Sequence, residues 1–428
     1  MERRSFLGTV ASLTAAAWAS SAQGGVENNP ELTDEQLKAS LADVAESGPM
    51  LQRPEKDAIS VVWSVKRPAS GWVEWGPTPD LGQTARDSLG GLFPYEERFL
   101  AATMHGLEPG KTYYYRTVTQ GLEFKRYGQL FAGEPERGEV FSFQTPDDNA
   151  PAGSFAVISD THENLPCMNA LTEKIDALNP DCVVWNGDLL NDTNSADQAV
   201  HGILQAGKPN WQASRPILFS AGNHDHRGPW ARNLTKIFLP HHECDAKYRS
   251  LIYNFAYRTG PIAIIGLDTG EDKPDFHPIW SGLADFDRFR VLQAEWLEET
   301  LCKPEIASAA FVVVCCHIPL FDPRPDANPG EILDGFASWQ SRCAELWGPI
   351  LHRHKVQAVI TGHLHRPNAA DKPSDDRSWL QMHCGGPEKG NWCVIHGSVE
   401  NNQLTLRRER LPEGKIDEEW SFEPRDLQ

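Results

Sequence analysis

Five short apolar runs rich in β-branched residues stand out in the second part of the chain, and each ends where a group of polar side chains begins. Continuous apolar runs of this length are typical of strands buried on both faces. In open α/β sheets, functional groups collect beyond the carboxyl ends of such strands, so we expect the polar groups to share one crevice. The runs are residues 155–159, 182–186, 217–221, 311–316 and 356–361.

Apolar residues at helical spacing lie between these strands, at 168–178 and 289–301. Alternation of strand and helix indicates a layered α/β architecture. Residues 392–399 and 403–408 predict a hairpin that completes a sheet. We therefore expect a second domain at 151–412, followed by a C-terminal tail at 413–428.

The first part of the chain has a different pattern, with short alternating strands separated by Pro/Gly turns. This pattern predicts a β-sandwich over residues 50–146. A capping box that runs from Thr33 to Gln36 predicts a helix through Val44, within an N-terminal helical segment at 23–49. The polar, proline-bounded stretch 146–151 is typical of a linker.

Composition limits the class of protein. The 428 residues are 40% hydrophobic, and no long apolar stretch follows the first thirty, so we expect a globular protein without a transmembrane segment in its mature form. The formal net charge of −19 makes nucleic acid an unexpected partner, because an acidic surface repels a polyanion. A small-molecule phosphate ester stays possible, since bound metals invert the local field.

The start of the chain places Arg3 and Arg4 before an apolar segment that ends in small residues. This layout resembles a twin-arginine export signal, which predicts a signal peptide at 1–22 and a periplasmic or secreted protein. Nine cysteines without a C-x-x-C spacing are expected to be mostly buried small hydrophobes. Cys384 with Cys393 is the pair for which a disulfide stays open.

The polar groups themselves carry ligands for two metals. A carboxylate with two oxygens can hold two cations about 3.5–4 Å apart, a separation at which a shared water ionises near neutral pH. Imidazoles and an amide oxygen add no negative charge, so the metals keep positive charge to hold a phosphoryl group for in-line displacement. The five groups are Asp160-Thr-His162, Gly187-Asp188, Gly222-Asn223-His224-Asp225, His317 and Gly362-His363-Leu-His365.

The order D-x-H, G-D, G-N-H-D, H, G-H-x-H resembles the calcineurin-like metallophosphoesterases, over about residues 153–411. The resemblance implies a four-layered α/β/β/α sandwich that hydrolyses phosphate esters, with a metal-bridging hydroxide attacking phosphorus. It implies that Asp188 bridges two metals, whose identity (Fe, Mn, Zn or Ni) the ligand types leave open. One metal would be held by Asp160, His162, Asp188 and His365, and the other by Asp188, Asn223, His317 and His363.

His224 is the expected catalytic residue that does not bind a metal. In the family the matching histidine faces the substrate, where it stabilises the transition state or protonates the leaving oxygen. The resemblance places its orienting partner at Asn191, whose amide can position the ring. Asp192 or Asp225 could share that task.

The sandwich resembles the fibronectin type III-like domain that precedes the catalytic domain in purple acid phosphatases, through a turn and alternating aromatics at 104–116. The metal site departs from that group. There the histidine of D-x-H is absent and a tyrosine stands at the position of Asn191, whereas His162 is present here. We therefore expect the N-terminal domain to resemble that group and the metal site to differ from it.

Two inserts, 272–287 and 320–339 with Arg324, are expected at the rim of the pocket. His226 and Arg227 follow the G-N-H-D motif and could reach substrate oxygens, but a solvated surface loop is the favoured interpretation. These two residues are therefore left outside the site, together with His241 and His242. The sequence therefore predicts an exported phosphatase or phosphodiesterase, with a slight preference for monoesters that rests on the N-terminal domain. The alternative is a cell-surface binding protein with a secondary metal domain. The oligomeric state stays open.

Overall fold

A computed structural model describes residues 33–124, 128–241, 245–322, 339–375 and 377–426. The predicted signal peptide, His242, Arg324 and most of the insert 320–339 lie outside the described residues. Within the described part of the chain, no helix combines the length and the apolar character needed to cross a membrane.

The first nine strands precede the linker at residues 146–151. They are β1 (Met50–Gln52), β2 (Ala58–Ser64), β3 (Ala69–Gly76), β4 (Gln83–Ala85), β5 (Phe99–His105), β6 (Thr112–Phe124), β7 (Leu130–Ala132), β8 (Glu136–Arg137) and β9 (Phe141–Gln144). The strands that follow the linker are β10 (Ser154–Ile158), β11 (Cys182–Asn186), β12 (Ile217–Ser220), β13 (Phe255–Thr259), β14 (Ile262–Leu267), β15 (Phe311–Cys316), β16 (Ala358–Thr361), β17 (Leu380–His383), β18 (Cys393–Glu400), β19 (Gln403–Arg410) and β20 (Lys415–Phe422).

The helices lie mostly between the later strands. They are α1 (Asp34–Ser40), α2 (Leu165–Leu178), α3 (Ala196–Ala199), α4 (Phe286–Leu301), α5 (Pro304–Ala307) and α6 (Ser341–Arg353). A π-helical turn at Val200–Leu204 continues α3, and short 3-10 turns lie at His224–His226, Ala231–Lys236 and Pro278–Trp280. The two helices predicted from spacing are confirmed as α2 and α4, and both begin three residues before the predicted start.

The capping box is confirmed: the Thr33 side chain accepts from the Gln36 backbone amide, and the Gln36 side chain accepts from the Thr33 amide. The helix ends at Ser40, so the prediction of a helix through Val44 is wrong. The reason is that Asp43 has φ of 55°, a left-handed conformation that a continuing helix cannot contain.

Two packed sheets form the second part of the chain. The larger sheet has the order β20-β19-β18-β10-β11-β12-β1-β2-β5, and the smaller sheet has the order β13-β14-β15-β16-β17. Buried residues such as Val184, Leu218 and Val313 fill the space between them. Helix α2 covers the outer face of the larger sheet, and α4 and α6 cover that of the smaller sheet. The α/β/β/α fold class is confirmed.

The N-terminal sandwich shares a sheet with this core. Strand β1 pairs in parallel with β12, through Gln52 and Ile217, and antiparallel with β2. The other side of the sandwich is the sheet β4-β3-β6-β7, with β8 and β9 also paired to β6. Buried Trp63, Val73 and Tyr115 lie between the two sides. The larger sheet therefore runs through both regions, which the prediction of two separate units did not anticipate.

The C-terminal hairpin is confirmed as β18 and β19, which pair antiparallel. The prediction of a tail beyond residue 412 is wrong for Lys415–Phe422, which form β20 at the edge of the larger sheet. This segment is rich in charged residues, so it lacks the alternation of apolar and polar positions from which a strand is predicted. Ion pairs between β19 and β20 stabilise this edge strand: Arg407 pairs with Glu419 at 2.5 Å, and Arg408 pairs with Asp417 at 2.8 Å.

Candidate metal centre

The polar groups that follow β10, β11, β12, β15 and β16 lie at one edge of the two packed sheets. Strands β10, β11 and β12 are parallel neighbours in the larger sheet, and β15 and β16 are parallel neighbours in the smaller sheet. Their carboxyl ends therefore face the same crevice, as the strand pattern predicts.

The first ligand group contains Asp160, His162, Asp188 and His365, whose ligand atoms lie within 4.8 Å of one another. The Nε2 atoms of His162 and His365 are 2.9 Å apart. His365 Nε2 is 3.5 Å from Asp160 Oδ1. The carboxylates are buried and the His365 side chain is 35% exposed, so the group opens to solvent on the His365 side.

The second ligand group contains Asp188, His317 and His363, again with ligand atoms within 4.8 Å of one another. Asn223 joins it, because its Oδ1 is 3.0 Å from His363 Nδ1. Asp188 belongs to both groups: its Oδ2 is 3.1 Å from His317 Nε2 and 3.5 Å from His162 Nε2. The structure thus brings together the residues that the sequence assigned to each metal.

The donor set fits two metal ions. His317 donates from Nδ1 to the Asn186 carbonyl at 2.8 Å, which leaves Nε2 facing the carboxylates as a ligand. The Nε2 atoms of His162 and His365 lie 2.9 Å apart and 3.5 Å from the carboxylates of Asp188 and Asp160, so both rings present a nitrogen to the position that a metal would take. Mixed oxygen and nitrogen donors suit Fe, Mn, Zn or Ni.

The charges of the site also call for cations. Burial would lower the pKa of His317, but Asp188 and Asp160 raise it to about 10. Burial would raise the pKa of Asp188, but His317 and its other imidazole neighbours hold it below the usual value. Burial lowers the pKa of His162 to about 4, so this ring is neutral, as a metal ligand must be. The carboxylates that hold a proton on His317 would also attract cations, and a bound metal would take the place of that proton.

The backbone of the centre is strained. Six non-glycine residues of the site have positive φ, a conformation that costs of order 1–3 kcal/mol each unless the surroundings impose it. They are Asp160, His162, Glu163, Asp188, His363 and His365. Strain of this kind collects where side chains must be aimed at a common point.

Two glycines of the motifs are required by close packing against the ligands. A Cβ at Gly222 would collide with Asp188 Oδ1, and a Cβ at Gly362 would collide with Asp160 Oδ2. The glycines of G-N-H-D and G-H-x-H therefore let the backbone approach the two carboxylates.

Asp225 braces the loops of the centre. Its Oδ2 accepts from the backbone amides of Asp188 and Gly222, both at 2.8 Å, and its Oδ1 accepts from Leu189 at 3.2 Å. Burial raises the pKa of Asp225 to about 6. Because its oxygens are used in this way, Asp225 does not orient His224, contrary to one option raised by the sequence.

His224 lies at the mouth of the first ligand group, with its ring 4.9 Å from that of His162. Its backbone amide donates to Asp188 Oδ1 at 2.9 Å. Its Nδ1 donates to the backbone carbonyl of Asn191. The orienting partner is therefore Asn191, as the resemblance implies, but through the main chain. The Asn191 amide donates to Glu163 Oε2 at 3.3 Å instead.

Arg227 contacts the free edge of His224, with Nη1 3.1 Å from His224 Nε2. The side chain is only 14% exposed and pairs with buried Glu271 at 2.5 Å and Asp272 at 2.8 Å. The prediction that Arg227 lies on a solvated loop is wrong, because those carboxylates hold it in the site. Burial raises the pKa of Glu271 to about 7, even beside this guanidinium.

The other residues left outside the site have separate partners. His226 Nε2 lies 3.0 Å from Asp268 Oδ1 and is part of a neighbouring cavity. The ring of His241 packs 5.9 Å from that of Phe255. Cys384 and Cys393 are buried free thiols, as are most cysteines in the described ranges, which agrees with their prediction as small hydrophobes.

The comparisons with known proteins agree with this geometry. Residues 153–367 match the model of the calcineurin-like phosphoesterase family. The structure is similar to a purple acid phosphatase from yellow lupin (Lupinus luteus) seeds, at 13% identity and a TM-score of 0.58, covering 87% of this chain and 73% of that one. It is also similar to PhoD, at 13% identity and a TM-score of 0.57, covering 88% of each chain. At these identities the likeness is one of fold. No curated protein matches the chain by sequence.

Proposed function

Because this chain belongs to the calcineurin-like phosphoesterase family, we propose that it hydrolyses a small-molecule phosphate ester at a dinuclear metal centre built around Asp188. The observation that carries the proposal is that Asp188 belongs to both ligand groups. A single carboxylate shared by two groups is the arrangement that holds two cations at the separation needed for in-line displacement.

Some residues of the site would bind the metals, and others face the substrate. Asp160, His162, Asp188 and His365 would hold one metal, and Asp188, Asn223, His317 and His363 the other. When bound, the metals supply an ionised water at neutral pH and positive charge for the phosphoryl oxygens. The ligand residues would fix the positions of the two metal ions, because both groups are built around the buried Asp188 carboxylate.

His224 and Arg227 are placed to act on the ester. The Asn191 carbonyl accepts the Nδ1 proton and turns Nε2 towards Arg227 Nη1, 3.1 Å away. In our proposal the guanidinium leaves His224 Nε2 to bind a phosphoryl oxygen, Nε2 takes up a proton from solvent, and the resulting imidazolium gives that proton to the leaving oxygen. Glu271 and Asp272 hold the guanidinium in place during that step.

The preference for monoesters rests on the resemblance of the N-terminal sandwich, and phosphodiesterase activity is the second candidate. The test compares 4-nitrophenyl phosphate with bis(4-nitrophenyl) phosphate, which share a leaving group, on protein loaded with each candidate metal. We expect kcat/KM for the monoester to exceed that for the diester by about tenfold, roughly 1.4 kcal/mol in transition-state binding. A faster diester would make the protein a phosphodiesterase. No turnover of either ester at full metal occupancy would favour the binding-protein alternative.

Export through the twin-arginine route is part of the proposal. It is supported by Arg3 and Arg4 ahead of an apolar segment, and by a metal centre that suits assembly before translocation. Cell fractionation is expected to find the chain in the periplasm or the medium. Accumulation of the whole chain in the cytoplasm would contradict this part.

A further inference from the structure

A cavity of about 420 Å³ is lined by residues of the insert 272–287, the first turns of α4, and residues 231–232 and 250–253. Its walls are mixed: Tyr253, Trp280, Phe286 and Phe289 supply aromatic surface, and aliphatic and polar side chains line the remainder. The Phe286 ring lies 5.6 Å from that of Trp280 and 5.1 Å from that of His226, both edge to face. A space of this size can hold a ring system, and the aromatic side chains in its wall favour a flat one.

The cavity is a neighbour of the metal ligands along the edge of the sheet. Leu267 pairs with Cys316, so Asp268 and His317 leave adjacent strands at the same level, about 4.8 Å apart by the usual strand spacing. His226 closes the same 3-10 turn that begins with His224. An ester held by its phosphoryl group at the metals therefore has this cavity within reach of its organic part.

Two polar atoms in the cavity wall lack partners. Asp268 is 1% exposed. Its Oδ1 accepts hydrogen bonds from the His226 ring nitrogen at 3.0 Å and from the Gly270 backbone amide at 2.8 Å. Its Oδ2 has no hydrogen-bond partner among the residues that the structure describes. The same holds, within those ranges, for the buried Nε1 of Trp280. A buried acceptor and a buried donor without partners cost free energy in the empty protein, which a ligand can recover.

The mouth of the cavity is apolar as well as charged. Leu283, which lines it, is 73% exposed, and Phe276 on the same insert is 88% exposed. Arg288 and Asp285 at the mouth face solvent and pair with each other at 3.7 Å. Arg232 and Ser250 also line the cavity, but Asp268 Oδ2 is the buried carboxylate oxygen in its wall that is left for a ligand.

We propose that this cavity binds the organic group of the ester, and that this group is a planar aromatic system carrying a hydrogen-bond donor, of nucleobase size. The assignment rests on the proposed function and deepens it. The aromatic walls pack against the ring faces, Asp268 Oδ2 accepts from the ring's N–H, and Trp280 Nε1 donates to a ring acceptor. An alkyl ester such as glycerol 3-phosphate has hydroxyl groups but no ring that could pack against the aromatic side chains.

The test compares adenosine 5′-monophosphate with glycerol 3-phosphate as probes on the metal-loaded full chain. We expect kcat/KM for the adenosine ester to exceed that for the glycerol ester. The ratio of the two is expected to fall about tenfold in Asp268→Asn, the loss of one hydrogen bond to a charged group. Phe286→Leu, which removes ring stacking without emptying the wall, is expected to lower the ratio as well. Asp287→Asn is the control, because Asp287 lies on α4 and does not line the cavity.

Free adenosine separates the organic part of a substrate from an independent effector. Calorimetric binding that is lost in Asp268→Asn, with competitive inhibition against adenosine 5′-monophosphate, supports the assignment. Adenosine that changes the hydrolysis of both esters without competing would make the cavity a regulatory site and overturn it. An equal preference for both esters, unchanged in Asp268→Asn, overturns the cavity assignment alone. No hydrolysis of any ester with two metals bound overturns the proposed function and this inference with it.

Discussion

Asp188→Ala is expected to abolish ester hydrolysis and to reduce the bound metal from two ions per chain to at most one. The carboxylate contacts both ligand groups through Oδ2 and accepts the His224 backbone amide through Oδ1. Loss of a residue that merely orients a ligand costs ~10–100-fold in metal affinity or activity. Loss of the shared ligand itself should therefore lower kcat/KM by more than about 10³-fold, a factor worth roughly 4 kcal/mol.

Metal content by mass spectrometry and phosphate release on the same sample measure this result. Asp197→Ala is the matched control, because Asp197 is an exposed carboxylate that pairs only with Arg98 among the described ion pairs. An unchanged far-UV circular dichroism spectrum would show that Asp188→Ala is folded, so that lost activity can be assigned to lost metal. Two ions and wild-type rates in Asp188→Ala would show that the carboxylate is not shared.

His224→Ala is expected to lower kcat by about 10²–10⁴-fold, the range for loss of a general acid, while both metals stay bound. The ring is not a member of either ligand group, and its Nε2 faces Arg227 rather than a carboxylate. If His224 protonates the leaving oxygen, the loss should be large for an alkyl ester and small for a 4-nitrophenyl ester, whose leaving group needs no proton.

The leaving-group series on wild type and variant measures that difference directly. His201→Ala provides the control, since His201 is an exposed histidine that bonds Gln205 at 2.7 Å. Equal losses for both esters would remove the proton-transfer role and leave only transition-state stabilisation. Loss of metal from His224→Ala would instead make the residue part of the metal site.

The strand-end positions of the ligands were predictable because buried parallel strands have a distinct apolar pattern and their carboxyl ends share one edge. The partner of His224 was predictable only in part. A backbone carbonyl accepts the Nδ1 proton, and a carbonyl is the same at every residue, so the identity of Asn191 carries no information about this bond.

Arg227 was missed because its environment is made by tertiary contacts. Glu271 and Asp272 follow it by more than forty residues, and their burial depends on the packing of a loop that no local pattern describes. The shared sheet was missed for a similar reason: β1 has three residues, too few for a periodicity. The unpartnered Asp268 Oδ2 could not be predicted either, because its burial is created only when the chain folds.

A carboxylate-bridged centre of two metals that hydrolyses phosphate esters is tested by titrating metal-free protein with metal while phosphate release is followed. We expect no turnover without metal and a rate that reaches its plateau at two ions per chain. A plateau at one ion, turnover in the metal-free protein, or no turnover at two ions would contradict it.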